Sequence, residues 1–181
     1  MKRLFPVVMI LVVILHLAVF TSIAGAEAAK GKPIKVGIIY TLSGIGAPYT
    51  RPAVAGHELA VEEINVAGGV LGRPIKLVIR DDKGSPEVAL REARDLVFRD
   101  EVDYLMGAIS SAVGLAISSF AKEQKILFIN SIAQTAALTE EKGHRYVFRT
   151  ATNTVVYGRS GAMMAAQLPY TKYYVIGHDY E

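Results

Sequence analysis

Two adjacent hydroxyl side chains, Ser110 and Ser111, lie in the stretch GAISSAVG, which directly follows the apolar run from Val102 to Met106. The small residues on either side predict the end of a strand and the start of a helix. A serine in this place can act as a nucleophile, or cap the helix with its side chain. It can also help to bind an anion beside the unpaired N–H groups of the helix end. The remaining residues must distinguish these three roles.

A serine nucleophile in an α/β protein commonly lies in a G-x-S-x-G turn between a strand and a helix. The stretch that contains Ser110 and Ser111 reads G-x-x-S-S instead, and the G-x-S-x-G pattern occurs nowhere in the chain. No histidine has a marked orienting carboxylate, and no pair of histidines has metal-ligand spacing. The residues therefore favour neither hydrolysis nor metal binding. The histidines are His16, His57, His144 and His178.

A nucleotide site is also disfavoured. The turn from Ser43 to Pro48 follows the first predicted strand and contains G-x-G, but Tyr49 stands where a dinucleotide fingerprint has its third glycine. Asp81 and Asp82 lie too far along the chain to match the ribose-binding acid of that fingerprint. We expect no cofactor. The paired acids are interpreted as loop residues that bond backbone amides, with acid–base chemistry as the alternative.

Polar residues also follow the next predicted strand, where the chain reads NSIAQT from Asn130 to Thr135. The carboxyl ends of neighbouring parallel strands meet at one edge of a sheet, and open α/β sheets bind ligands in the crevice there. We therefore expect this segment to share a crevice with Ser110 and Ser111. Tyr49 and Tyr157 each lie beside small residues, and each is either a half-buried aromatic or a wall of that cleft.

Apolar, β-rich runs alternate with helical patterns along the chain after residue 30. Gly68-Gly69 supplies a helix end, and Ser85-Pro86-Glu87 supplies a helix start. Strands that are apolar throughout and alternate with helices indicate a doubly wound α/β fold, with a parallel sheet covered on both faces. The predicted strands are 34–40, 75–80, 102–106, 126–129, 146–149 and 173–177; the predicted helices are 53–67, 86–99, 113–123, 135–142 and 155–168.

Residues 1–26 have the pattern of a secretory signal peptide. Lys2 and Arg3 precede an apolar stretch from Leu4 to Phe20, and the small residues up to Ala26 provide an A-x-A cleavage site. An uncleaved membrane anchor is the alternative, because ~17 apolar residues approach the ~20 that span a bilayer. The signal-peptide interpretation predicts an exported protein, located in the periplasm or outside the cell.

The charge and the cysteine content argue against further kinds of binding partner and binding site. Removal of residues 1–26 takes away two of the 20 basic residues and leaves 18 against 17 acidic ones, so nothing indicates a nucleic-acid partner. The chain has no cysteine, which excludes disulfides and thiolate metal sites. The predicted strand 173–177 is followed only by His178-Asp179-Tyr180-Glu181, without a crossover helix. We therefore expect the sequence to be a fragment of a longer protein.

Several segments in order carry a resemblance to a known family: IKVGIIYTLSG, AGHELAVEEINVAGGVLGRPIKLVIRDD, GAISSA and INSIAQTAALT. Together they resemble the periplasmic substrate-binding proteins of ABC transporters for branched-chain amino acids, the Leu/Ile/Val-binding type. The resemblance implies a type I fold of two α/β lobes that close over a ligand. It implies that residues 30–150 form the N-terminal ligand-binding lobe, and that residues 151–181 form the crossover and the start of a truncated second lobe.

The resemblance also implies which residues contact the ligand's polar groups. Carried over by position, Ser111 matches the serine that binds the α-carboxylate of the ligand, with Ser110 beside it. Ala133 falls where a backbone group contacts the ligand. An acid that would pair the ligand's ammonium group belongs to the second lobe in this family.

The side-chain pocket is implied in the same way. Tyr49 matches an aromatic residue that lines this pocket, and Tyr157 lies near a position that approaches the ligand. Such proteins commonly carry threonine in a P-A-A-T segment, whereas this chain reads S-I-A-Q. Gln134 therefore stands in place of the threonine and Thr135 lies one residue beyond. Either side chain can supply the polar contact.

The function implied by the resemblance is binding and not turnover, so we expect no enzyme activity. An exported solute-binding protein would capture a branched-chain or related amino acid or amide and deliver it to the membrane permease of an ABC transporter. One alternative is the extracellular sensing domain of a receptor, which a transmembrane span beyond Glu181 would distinguish. The other is a secreted α/β enzyme, which would need its nucleophile or acid–base pair in the missing half.

Overall fold

The computed structural model of the protein describes residues 31–176. The predicted signal peptide, residues 1–26, lies outside the described residues. None of the helices between residues 31 and 176 has the length and apolar character needed to cross a membrane. The strands are β1 Ile34–Tyr40, β2 Ile75–Asp81, β3 Tyr104–Gly107, β4 Phe128–Asn130 and β5 Val147–Arg149; the helices are α1 Ala47–Val66, α2 Pro86–Phe98, α3 Ser111–Gln124 and α4 Thr154–Ala165.

The five strands form one parallel sheet in the order β2-β1-β3-β4-β5. The central strand pair is β1 and β3, in which Val36 lies opposite Tyr104 and Ile39 lies opposite Gly107. The chain moves outward in one direction from β1 to β2, and then in the other direction from β3 to β5. The gap between the carboxyl ends of β1 and β3 is therefore the topological switch point, where open sheets bind ligands.

Hydrophobic side chains cover both faces of the sheet, because successive residues of a buried strand point to opposite sides. Val36, Ile38 and Tyr40 of β1 belong to a core that includes Ala53 and Val54 of α1. The alternate side chain, Ile39, belongs to a second core, to which α2 and α3 contribute Ala89, Ala93, Leu96, Val113, Ile117, Phe120 and Ala121. The predicted doubly wound α/β class is confirmed.

Helix α1 begins at Ala47, six residues before the predicted start at Ala53. The sequence analysis places Pro48 in the turn that starts at Ser43, and Pro52 falls between that turn and the predicted helix. Pro48 lies in the first helical turn, where a backbone N–H has no partner within the helix in any case. Pro52 removes one further helical hydrogen bond, and the helix continues through it.

Two other predicted elements are wrong. The segment 135–142 contains only a 3₁₀ turn at Ala136–Leu138, followed by hydrogen-bonded turns. Residues 173–176 of the predicted last strand form no strand, and Gly177 lies outside the described residues. A strand requires a neighbour for its backbone bonds, and these residues pair with none of β1 to β5. Val175 is 94% exposed and Ile176 is 93% exposed.

Candidate ligand-binding site

The end of β3 lies unusually close to β1. Gly107 has φ +136°, and a Cβ added to it would lie 2.1 Å from the carbonyl oxygen of Ile39. Only glycine fits this conformation and this approach. Ala108 follows with φ +63°, a region that costs energy for alanine, and its N–H donates to the same Ile39 carbonyl at 3.0 Å. The turn that leads to Ser110 and Ser111 is thus fixed against β1.

Ser110 occupies the N-cap position of α3, and Ser111 is the first helical residue. The Ser110 side chain makes no capping hydrogen bond, whereas at the start of α2 the Val88 N–H donates to the Ser85 hydroxyl at 3.4 Å. Side-chain capping therefore does not explain Ser110. The first helical bond runs from the Gly114 N–H to the Ser110 carbonyl. The N–H groups of the residues before Gly114 lie at the helix end, where an anion can accept hydrogen bonds from them.

The loop after β4 is bonded to the loop after β3. The Ala133 N–H donates to the Ala108 carbonyl at 3.0 Å, and the buried Asn130 side chain donates through Nδ2 to the Ala133 carbonyl at 2.7 Å. Gly114 of α3 lets this loop come close, because a Cβ at that position would lie 3.3 Å from the Ala133 Cβ. Ala133 is 0% exposed, and both its N–H and its carbonyl are bonded within the protein. The structure therefore brings no accessible group of Ala133 to the crevice.

A crevice of about 220 Å³ opens between these loops and the start of α1, and it is lined by Tyr49, Ile109, Ile132 and Gln134. Two of these, Tyr49 and Gln134, are site residues predicted from the sequence. Ile109 and Ile132 were missed. Ile109 directly precedes Ser110, and Ile132 directly follows Ser131. Their place in the two predicted strand-end segments was the one sequence signal that could have identified them. The crevice combines two isoleucine side chains with a tyrosine and one amide.

Five of the predicted site residues do not line this crevice: Ser110, Ser111, Ala133, Thr135 and Tyr157. The Thr135 carbonyl accepts a hydrogen bond from Arg149 Nη2 at 2.5 Å, which ties the loop to the end of β5. Tyr157 lies on α4 and is 55% exposed. The start of α4 is nevertheless joined to the crevice loop, because the Thr154 N–H donates to the Gln134 carbonyl at 2.9 Å.

Asp81 and Asp82 bond backbone amides, as the loop interpretation predicted. The Leu42 and Lys83 N–H groups donate to Asp81, and the Gly84 N–H and the Thr41 hydroxyl donate to Asp82. Burial disfavours the charge of Asp81, but the bonds from Lys83 and Leu42 outweigh it and lower its pKa. Burial raises the pKa of Asp82, in spite of the bonds from Thr41 and Gly84. The pair forms a structural turn at the end of β2.

The two histidines of residues 31–176 bond to groups other than Ser110 and Ser111. His57 Nε2 lies 3.1 Å from the Tyr40 hydroxyl, and His144 Nε2 lies 2.9 Å from the Ser118 hydroxyl. Neither histidine contacts Ser110 or Ser111. Between residues 31 and 176 there is also no group of three or more histidine and acidic side chains with the geometry of a metal site. The arrangement of hydroxyls, a helix N-terminus and an apolar crevice is suited to holding a small anionic molecule.

Comparison with known proteins gives a consistent result. A family model described as "Periplasmic binding protein" matches residues 33–181. Leu/Ile/Val-binding protein homolog 3 of Brucella melitensis is 31% identical over 131 residues, which is 72% of this chain and 35% of that protein. The chain spans about a third of the length of the curated relatives that it matches.

Solved structures agree in fold. The branched-chain amino acid transporter substrate binding protein LivJ of Streptococcus pneumoniae, in complex with isoleucine, is 32% identical with a TM-score of 0.63; the match covers 67% of this chain and 34% of that one. A solute binding protein of an ABC transporter from R. palustris, in complex with 4-hydroxybenzoate, is 25% identical with a TM-score of 0.64, covering 74% and 36%. The chain belongs to the periplasmic binding protein family.

Proposed function

We propose that this chain supplies the N-terminal lobe of a solute-binding protein that captures an amino acid of the branched-chain type or a related amide. In this proposal residues 30–150 form the lobe, and residues 151–181 lead into a second lobe. The observation that carries it is the pair Ser110 and Ser111 at the start of α3. Ser110 makes no side-chain capping bond, and it directly follows Ile109, which lines the crevice.

The carboxylate of the ligand would accept hydrogen bonds from Ser111, from Ser110 and from the N–H groups at the start of α3. Hydrogen bonds to a charged group are worth about 1.5–3 kcal/mol each, more than neutral ones. The partial positive charge of the helix end adds to this attraction. The ligand's side chain would lie against Tyr49, Ile109 and Ile132, with the Gln134 amide as a polar contact in the crevice.

Closure of a second lobe would exclude water and strengthen each polar contact, because the effective dielectric constant falls. The protein would then deliver the ligand to the permease of an ABC transporter, without chemical turnover. Residues 1–26 would direct its export as a cleaved signal peptide, which would place it in the periplasm or outside the cell. The names of the relatives, which are binding proteins for leucine, isoleucine and valine, support this assignment.

The ligand class is tested by thermal melting of the protein expressed from the gene read to its stop codon. The panel contains leucine, isoleucine, valine, phenylalanine, glutamate, isobutyramide and 4-hydroxybenzoate. A ligand present at 100 times its Kd stabilises the folded state by about 2.7 kcal/mol and raises the melting temperature. A rise with an aliphatic amino acid supports the proposal. A rise with 4-hydroxybenzoate alone would replace the amino acid with an aromatic acid, and no rise with any compound would contradict both.

A further inference from the structure

The hydroxyl of Tyr40 connects helix α1 with the loop after β4, which is distant from it in the sequence. Tyr40 is the last residue of β1 and is completely buried. Its hydroxyl oxygen lies 3.1 Å from His57 Nε2 on α1 and 2.5 Å from the Ser131 hydroxyl oxygen in the loop after β4. The rings of Tyr40 and His57 are nearly parallel, with an interplanar angle of 16°. A phenylalanine at position 40 would fill the same space without these bonds.

Two proton arrangements satisfy these contacts. The Ser131 hydroxyl lies 3.3 Å from the carbonyl oxygen of Gly107, which can only accept, and 2.5 Å from the Tyr40 oxygen. If Ser131 donates to Gly107, it accepts from Tyr40, and Tyr40 accepts from a proton on His57 Nε2. If Ser131 donates to Tyr40, then Tyr40 donates to an unprotonated His57 Nε2. In both arrangements hydrogen bonds join His57 to Tyr40 and Tyr40 to Ser131.

The shifts in pKa are compatible with both arrangements. Burial raises the pKa of the Tyr40 hydroxyl, although its bond with Ser131 acts the other way, so the group keeps its proton and can donate. Burial lowers the pKa of His57, which favours the neutral ring. A neutral ring has one N–H group and one nitrogen that accepts, so Nε2 can bond to Tyr40 in either role.

The two loops that these hydrogen bonds join are the ones that carry the proposed ligand contacts. Gly107 ends β3 and leads to Ser110 and Ser111, while Ser131 directly precedes Ile132 and Gln134. The Ser131 N–H also donates to the Gly107 carbonyl at 3.1 Å. The bonds from Tyr40 and His57 therefore hold this pair of loops from the α1 face of the sheet.

We propose that Tyr40 and His57 are positioning residues of the ligand site: their hydrogen bonds through Ser131 fix the spacing between the loop that ends in Ser110 and Ser111 and the loop that carries Ile132 and Gln134. The effect on affinity rests on the function proposed above. The effect on the loops does not, since the bonds join residues of this chain to one another.

The test uses Tyr40→Phe in the protein expressed from the gene read to its stop codon. The first measurement is amide hydrogen exchange of segments 107–113 and 131–135 without ligand. The N–H groups of Ser131 and Ala133 donate to the carbonyls of Gly107 and Ala108, so their exchange reports on the contact between the two loops. We expect exchange in both segments to become about fivefold to tenfold faster, as the loss of one buried hydrogen bond implies. Tyr104→Phe is the matched control, because Tyr104 packs in the same core from β3.

The second measurement is the Kd for L-leucine by calorimetry, well below the melting temperature. We expect Tyr40→Phe and His57→Leu each to weaken binding roughly fivefold to tenfold. His57→Gln should restore most of the affinity, because its side-chain amide can donate to Tyr40, whereas a role in packing alone would not be rescued by a donor.

Unchanged exchange in both segments would overturn the proposal, whether or not the wild-type protein binds L-leucine. Faster exchange with an unchanged Kd would also overturn it, since the bonds would then hold the loops without affecting the ligand. If the wild type binds no compound of the ligand panel, the proposed function and the effect on affinity both fail. Faster exchange would in that case support only the bonding of the two loops.

Discussion

Gly107 and Ile39 are in such close contact that a Cβ at position 107 would lie 2.1 Å from the Ile39 carbonyl oxygen. This relationship sets the path of the chain from β3 into the loop that carries Ser110 and Ser111. It also places the start of α3 beside the carboxyl end of β1, at the switch point of the sheet. The candidate site depends on this one approach of two backbones.

Gly107→Ala should therefore destabilise the protein strongly. The added Cβ must displace the backbone of β1, and φ +136° is a conformation that alanine rarely adopts. We expect a loss of about 3 kcal/mol or more in the free energy of unfolding, measured by urea denaturation. Gly56→Ala is the control, because Gly56 lies inside α1 with open space around it and should gain about 0.5–1 kcal/mol. An equal effect of both substitutions would contradict this account.

The two N-cap serines should respond differently to removal of the hydroxyl. Ser85→Ala removes the bond from the Val88 N–H and should cost about 1 kcal/mol of stability without changing ligand affinity. Ser110→Ala removes no capping bond and should cost much less stability, while it weakens binding of a carboxylate ligand. Chemical denaturation and calorimetry on both variants separate the two effects. A larger loss of stability in Ser110→Ala would indicate that its hydroxyl caps α3 after all.

Much of the fold could be predicted from local patterns. The strand Ile34–Tyr40 and the Ser85 N-cap were located correctly, because an apolar run and an S-P-E start are signals carried by adjacent residues. The start of α1 was placed too late, because Pro48 and Pro52 are compatible both with a turn and with the first turns of a helix. The expected strand at 173–176 depended on a neighbour that local sequence cannot supply.

The site was less predictable than the fold, because it depends on contacts between distant residues. The polar strand ends indicated where a crevice would lie, but not that Ile109 and Ile132 would line it. The bond between Tyr40 and Ser131 joins residues 91 positions apart. Nothing in the segment IKVGIIY indicates a partner for the hydroxyl of its last residue.

The contributions of Asp81 and Asp82 to the free energy of unfolding should change with pH in opposite directions. The pKa of Asp82 is raised above 3.8 in the folded state, so its contribution to stability is present below 3.8 and is lost as pH rises through the raised value. The pKa of Asp81 is lowered below 3.8, so its contribution is present above 3.8 and is lost as pH falls through the lowered value. Each contribution disappears when the acid is replaced with its amide.

Urea denaturation of Asp82→Asn and Asp81→Asn between pH ~3 and ~7 tests these signs. Relative to the wild type, Asp82→Asn should become more stable as pH rises, because the buried charge is removed. Asp81→Asn should become relatively less stable over the same range. Parallel curves for the two variants would show that burial and the amide bonds do not separate the two carboxyl groups.

Gln134→Glu should weaken the binding of a carboxylate ligand. The substitution keeps the shape of the side chain and places a negative charge in the crevice beside the proposed carboxylate site. We expect a rise in Kd of about tenfold at low ionic strength, and a smaller rise at 1 M salt, where the Debye length is about 3 Å. Gln124→Glu is the matched control, because Gln124 is exposed at the opposite end of α3. Equal Kd values for the two variants would place the ligand elsewhere.

The most direct test of the carboxylate-binding site compares L-leucine with L-leucinamide, in which an amide replaces the carboxylate, by calorimetry on the wild type and on Ser111→Ala. Ser119→Ala is the control, because Ser119 lies on the exposed side of α3 and bonds only the Leu115 carbonyl. The account predicts that the wild type and the control bind leucine at least tenfold more tightly than leucinamide, and that Ser111→Ala loses most of this preference. Equal binding of the two compounds by the wild type, or a preference that survives in Ser111→Ala, would contradict it.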